Sequence, residues 1–204
     1  FSPNVGLPSA VTIPRPIGHE GVTYSGTYAG FLGARHDPLE IEAAGESKGG
    51  PAHSMTLQAE LDERRLLARR GLLSVVEEQD RRFEADPTGQ GYNEFREQAF
   101  SMLSAAKAKD AFNLDLEDDR TRDRYGRTEW GESILMARRL VEAGVRLVTI
   151  SWMYIQKSGN VANVWDNHGP FEGLTGYGML KAKYGLPTLD RGFAALMDDL
   201  TNSG

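Results

Sequence analysis

The chain has 204 residues, 40% hydrophobic and 25% charged, which suits one packed domain or most of one. A net charge of −6 and a pI of about 5.3 argue against a non-specific nucleic-acid binder. With 0 cysteines, disulfides, zinc–thiolate sites and cysteine nucleophiles are excluded, and no apolar run is long enough to span a bilayer.

The chain opens Phe1-Ser2-Pro3-Asn4-Val5, without an initiator Met or a signal peptide, so it reads as a fragment of a longer protein. Residues 1–50 are rich in Gly and Pro. Val11-Thr12-Ile13 fits a short strand ended by Pro14 and Pro16. Gly26, Gly30 and Gly33 punctuate an ordered loop, where glycine permits positive φ and close packing. The same loop could border a pocket, with His36-Asp37 beside it. Gly45 to Gly50 reads as an exposed turn. His19 and His53 lie in polar surroundings and read as surface residues.

Met55 to about Ala85 is helical in pattern, with Leu57, Leu61, Ala68, Leu72, Val75 and Val76 as its apolar face. Its arginines look like a basic patch. Yet Glu60–Arg64, Glu77–Arg81 and Glu78–Arg82 place the acid first at i,i+4, which reads as a solvated face. Asp86-Pro87-Thr88-Gly89 should end that helix. Asn93 should cap the next, from Glu94 to about Asp110, packed through Phe95, Ala99, Met102, Leu103 and Ala106. Asn113 to Arg127 reads as an exposed, salt-bridged connection with a turn of helix. A third helix, Glu129 to Ala143, packs through Ile134, Leu135, Ala137, Leu140 and Val141. Arg138 and Arg139 near its C-terminus suit the helix dipole, and Gly144 is a natural C′ residue.

After Gly144 comes Val145-Arg146-Leu147-Val148-Thr149-Ile150-Ser151-Trp152, β-branched and apolar, which predicts a buried strand. Helix, glycine, strand is an α-to-β junction, and the fold class is therefore α/β, helix-rich with few strands. Gly173 to Gly185 reads as partly irregular. Pro187 suits the first turn of a last helix that carries Leu189 to Met197 and runs to about Leu200.

Between strand and last helix lies Val164-Trp165-Asp166-Asn167-His168-Gly169-Pro170-Phe171, the stretch with the residue types and the position for chemistry. In open α/β sheets ligands bind outside the carboxyl ends of the strands. An Asp and a His two residues apart in such a loop can face one bound ion or one anionic group. Ser25, Ser101 and Ser151 sit in no Gly-x-Ser-x-Gly elbow, so no serine hydrolase signature is present.

Several segments, taken in order, resemble the DUF1501 family. They are Ala29-Gly30-Phe31-Leu32-Gly33, Asp110-Ala111-Phe112-Asn113-Leu114 and Arg122-Asp123-Arg124-Tyr125-Gly126. Ala137 to Arg146, Trp165-Asp166-Asn167-His168-Gly169 and Leu189 to Leu200 complete the set. Each is weak alone; the ordered set covers most of the chain. The resemblance implies relatives in the alkaline phosphatase and sulfatase superfamily, frequent in planctomycetes. It implies a three-layer sandwich about a mainly parallel sheet, with residues 1–204 forming the central part of one domain. The family's N-terminal part and its later Gly-Glu-Phe-Gly-Arg-Thr-Pro and Gly-Arg-Asp-His-Trp motifs are not in this chain.

By resemblance, Asp166 is a ligand to a divalent metal ion: Zn, Mn, Mg or Ca. His168 is a second ligand or a catalytic donor to an ester oxygen. The implied activity is metal-dependent hydrolysis of phosphate or sulfate esters on a small-molecule or glycan substrate, in an exported or periplasmic protein. Two ligands do not close a metal site, so others must come from elsewhere. The residues alone favour Asp166 capping the following turn and His168 bonding a carbonyl, and only the resemblance brings the metal reading level with that one. Trp165 suits packing, Asn167 a turn, and Asp190 a favourable helix-start charge. The alternative is a non-catalytic exported binding or scaffold protein on the same fold.

Overall fold

The computed structural model describes residues 6–19, 22–41, 63–79, 87–155, 161–163, 177–182 and 185–202. In chain order the first strands are β1 (Ala10–Ile13), β2 (Gly18–His19), β3 (Val22–Thr23) and β4 (Leu39–Glu40). Five helices follow: α1 (Glu63–Gln79), α2 (Pro87–Ser104), α3 (Ala106–Phe112), α4 (Asp119–Tyr125) and α5 (Glu129–Ala143). Then come β5 (Leu147–Ile150), β6 (Met153–Ile155), β7 (Val161–Asn163), α6 (Tyr177–Leu180) and α7 (Leu186–Asn202).

The fold is α/β. A parallel sheet runs β4-β1-β5, with two small antiparallel pairs, β2-β3 and β6-β7. β1 is its centre because Val11, Thr12 and Ile13 are β-branched and all nearly inaccessible. Val11, Ile13, Phe112, Tyr125, Leu135 and Leu140 form the heart of a core shared by sheet and helices. The chain therefore has more strands than the one convincing strand its sequence suggests: β2, β3, β4, β6 and β7 are two or three residues long, too short to leave a periodicity.

β5 departs from its expected burial. It is an edge strand of the described sheet, Leu147 is 59% exposed and Thr149 is exposed. Val148 and Ile150, alternating with them, pack on the core. A period of two on a half-covered strand explains the pattern.

α5 has the predicted bounds. Thr128 caps it, accepting from the Gly131 N–H at 3.2 Å. Gly144 closes it with φ +112°, donating to the Leu140 and Val141 carbonyls, and the Val145 N–H bonds Leu140 as in a Schellman motif. Ile134, Leu135, Ala137 and Leu140 are buried as expected, but Val141 is exposed. Arg138 and Arg139 near its end also bind carboxylates, Asp199 and Glu142 for Arg138 and Glu117 for Arg139, and Arg139 donates to the Asp110 and Ala111 carbonyls.

Gly131 and Gly192 set the helix spacing. A Cβ on Gly131 would lie 2.1 Å from the Gly126 carbonyl oxygen, and one on Gly192 would lie 2.7 Å from Ile134 Cδ1. α4 and α7 can approach α5 this closely only without side chains there.

The α1–α2 region corrects three expectations. Among the described side chains of α1, Leu66 is buried while Leu72 and Val75 are exposed. The side that meets α2 carries Arg70, which pairs with Glu97 and lies 5.9 Å over the Phe100 ring. Charge and cation–π contacts therefore join the two helices there. Secondly, α2 begins at Pro87, not after Asn93, because proline is tolerated in a first helical turn. Thirdly, the helix does not run unbroken to Asp110: Ala105 is extended and starts α3 afresh. Residues 113–127 are not simply exposed either, since Tyr125 at the end of α4 is 1% exposed.

Candidate functional site: the carboxyl edge of the sheet

Because β4, β1 and β5 are parallel, their carboxyl ends share one edge of the sheet. The backbone ladder is carried just past each end. The Ile41 N–H donates to the Thr12 carbonyl at 2.9 Å, and the Ser151 N–H to the Ile13 carbonyl at 2.8 Å. Ser151 and Trp152, directly after β5, are both buried.

The chain then leaves the edge as β6 and comes back as β7. Met153 pairs with Asn163, Tyr154 with Ala162 and Ile155 with Val161. Asn163 is thereby placed opposite Met153, two residues beyond Ser151. The Trp165-Asp166-Asn167-His168-Gly169 stretch follows Asn163 in the sequence, and it lies outside the described residues. So do Gly45 to Gly50, His53 and the arginines at 81 and 82.

Ser151 is the residue the motif reasoning passed over. It is 0% exposed, and among the described residues its Oγ has no hydrogen-bond partner. A signal existed: a hydroxyl at the carboxyl end of an apolar strand, two residues from a hairpin that leads to the Asp/His stretch. It is a positional signal, whereas the nucleophile-elbow pattern is a local one.

The glycine-punctuated loop is ordered by its own contacts. Gly26, Gly30 and Gly33 have φ of +89°, +56° and +90°, as expected for the turns there. Close packing is not their reason, since a Cβ at any of the three would meet nothing within 4 Å. The Ala29 N–H donates to Asp37 at 2.7 Å and the Tyr28 hydroxyl to Glu40 at 2.8 Å. That bond to Glu40 raises the Tyr28 phenol above its ordinary range. His36 Nε2 accepts from Arg35 Nε at 3.0 Å, so that ring nitrogen is engaged locally. Phe31 stands 99% exposed at the tip.

Asp190 is exposed in the second turn of α7, past the reach of the helix-start dipole proposed for it. Among the described residues no three His, Asp or Glu side chains are grouped to hold a metal ion. Nor is any described helix long and apolar enough to cross a membrane.

The whole-chain comparison decides the family. Residues 1–204 match the family described as "Protein of unknown function (DUF1501)". The chain belongs to DUF1501. No curated protein and no solved structure matches it significantly. Among the described residues, the carboxyl edge of this DUF1501 chain carries the enclosed Ser151 hydroxyl, and the β6-β7 hairpin ends at Asn163.

Proposed function

We propose that the intact DUF1501 protein is a metal-dependent hydrolase of phosphate or sulfate esters, built on an alkaline-phosphatase-like three-layer sandwich. The reading is supported by the return of β7 to the carboxyl edge, where Asn163 lies opposite Met153. Asp166 is three residues further along the chain, and three residues span at most about 10 Å. In this proposal Asp166 acts at that edge, where open α/β sheets bind ligands. A carboxylate and an imidazole are donors suited to a hard or borderline divalent ion, and Asp166 and His168 would be its ligands from this chain. When bound, such an ion polarises a phosphoryl or sulfuryl oxygen and activates a nucleophile. His168 can alternatively donate to the ester oxygen. A small-molecule or glycan ester as substrate, and export from the cytoplasm, belong to the same proposal.

The test is the metal content of the intact protein by elemental mass spectrometry, wild type beside Asp166→Ala and His168→Ala. Stoichiometric Zn, Mn, Mg or Ca in wild type, lost from both folded variants, supports the reading. A metal-free wild type after metal-supplemented purification overturns it.

A second reading, an exported binding or scaffold protein, draws support from the ordered loop that presents Phe31 and Leu32 to solvent. It expects no stoichiometric metal, and ligand binding unaffected by Asp166→Ala.

A further inference from the structure

A buried hydroxyl almost always has a hydrogen-bond partner, because enclosure removes water as an alternative. Ser151 Oγ is the exception at the sheet edge: it is fully enclosed and without a partner among the described residues. Its backbone is not free to turn the side chain elsewhere, since the N–H is held by the Ile13 carbonyl at 2.8 Å. Along β5 the side chains alternate exposed, half-buried, exposed, half-buried from Leu147 to Ile150. Ser151 continues the row of Leu147 and Thr149, yet it is enclosed where they are not. The enclosure therefore belongs to the carboxyl end of the strand and not to the face as a whole. Elsewhere in the chain, buried hydroxyls are used: Tyr125 donates to Asp199 at 2.7 Å and Ser133 to the Glu129 carbonyl at 2.6 Å.

We propose that Ser151 is a ligand-binding residue whose hydroxyl donates to an anionic oxygen of a phosphate or sulfate group held at the carboxyl edge. Placement favours this. Ser151 lies past the end of β5, at the edge used by ligands in open α/β sheets, and two residues before the hairpin that leads to Asp166. Its chemistry favours it too. An enclosed neutral donor gains most from an ionised acceptor, because charge-assisted hydrogen bonds are the strong ones and water does not compete. The inference rests on the ester-hydrolase reading for the identity of the anion, but not on the metal.

The test compares the intact wild-type protein with Ser151→Ala and Asp166→Ala. Two quantities are read: affinity for inorganic phosphate and for sulfate by calorimetry, and Tm without added anion. Ser151→Ala should weaken anion binding roughly tenfold or more, with no fall in ligand-free Tm, since no partner is lost. Unchanged affinity overturns the assignment of Ser151. So does a lowered ligand-free Tm, which would give the hydroxyl a structural partner such as a resident water. If wild type binds neither anion, Ser151 and the ester reading fall together. If anion binding depends on Ser151 while the protein holds no metal, the metal reading falls and Ser151 stands. If metal is bound through Asp166 but Ser151→Ala binds anion like wild type, the reverse holds.

Discussion

Two regions of this protein treat buried polar groups in opposite ways. Where α4, α5 and α7 meet, Asp199 accepts from the Tyr125 hydroxyl at 2.7 Å and from Arg138 at 2.7 Å, and pairs with Arg124 as well. Arg191 donates to the Arg124 and Asp123 carbonyls, tying α7 to the end of α4. At the carboxyl edge of the sheet, Ser151 is more deeply enclosed than Asp199 and has no such partner among the described residues. The difference separates polar groups that hold the fold from one that, in the proposal above, binds an anion. A half-satisfied buried group weakens a protein, which is why the anion site is proposed at this edge.

The largest test of the first region is steric. Gly131→Ala puts a methyl carbon where the Gly126 and Tyr125 carbonyl oxygens would be 2.1 and 2.5 Å away. Both are backbone atoms, so α4 and α5 must separate. The expected loss is about 3 kcal/mol or more in urea unfolding. Gly26→Ala is the control. It has a positive φ of +89° but nothing within 4 Å, and should cost only about 1 kcal/mol. Equal effects would mean that helix spacing does not limit stability.

Next is Asp199→Ala, which strands Arg138 and Tyr125, for an expected loss of about 3 kcal/mol near neutral pH. Burial alone would raise the Asp199 carboxyl. Bonds from Tyr125 and Arg124 and the charges of Arg138 and Arg124 outweigh it and hold the group below its ordinary 3.8. A depressed carboxylate contributes stability above its unfolded pKa and loses it as pH falls through the folded one. The gap between wild type and Asp199→Ala should therefore be constant from pH 5 upward and close below about pH 4. A gap that survives full protonation would assign the effect to packing alone. The same network, with burial the larger cause, pushes the Tyr125 phenol well above its usual range.

The helical region was far more legible from sequence than the sheet edge. Gly144 and the i, i+3, i+4 apolar set from Ile134 to Leu140 mark α5 by local rules, and the helix has the expected bounds; its Thr128 cap is seen in the structure. Pro187 likewise opens α7. Arg70 shows the limit of periodicity: its partners Glu97 and Phe100 are on another helix, so the face of α1 could not be read from spacing alone. β4 exists through pairing with the distant β1, and β2 and β3 through each other, and two-residue segments carry no pattern of their own. The Asp166 and His168 stretch was singled out from its residue types, and it lies outside the described residues, beyond β7. Ser151 was legible only as a serine without a nucleophile motif; enclosure and lack of a partner are tertiary properties.

The last comparison removes one hydroxyl from each region. The Thr128 side chain accepts from the Gly131 N–H at 3.2 Å and caps α5. Its loss in Thr128→Ala should cost about 1 kcal/mol, read by thermal or urea unfolding. Ser151→Ala removes a hydroxyl that is more deeply buried, so a rule based on burial alone would expect the larger loss there. The partner, not the depth, decides the sign: removing an unsatisfied donor takes away a desolvation penalty and breaks no bond. Ligand-free Ser151→Ala should therefore unfold at or slightly above the wild-type Tm, while Thr128→Ala unfolds below it. Saturating phosphate should then raise the Tm of wild type and Thr128→Ala by equal amounts, and that of Ser151→Ala by less. If both variants fall below wild type without ligand, the contrast between a region that holds the fold and an edge that awaits a ligand does not stand.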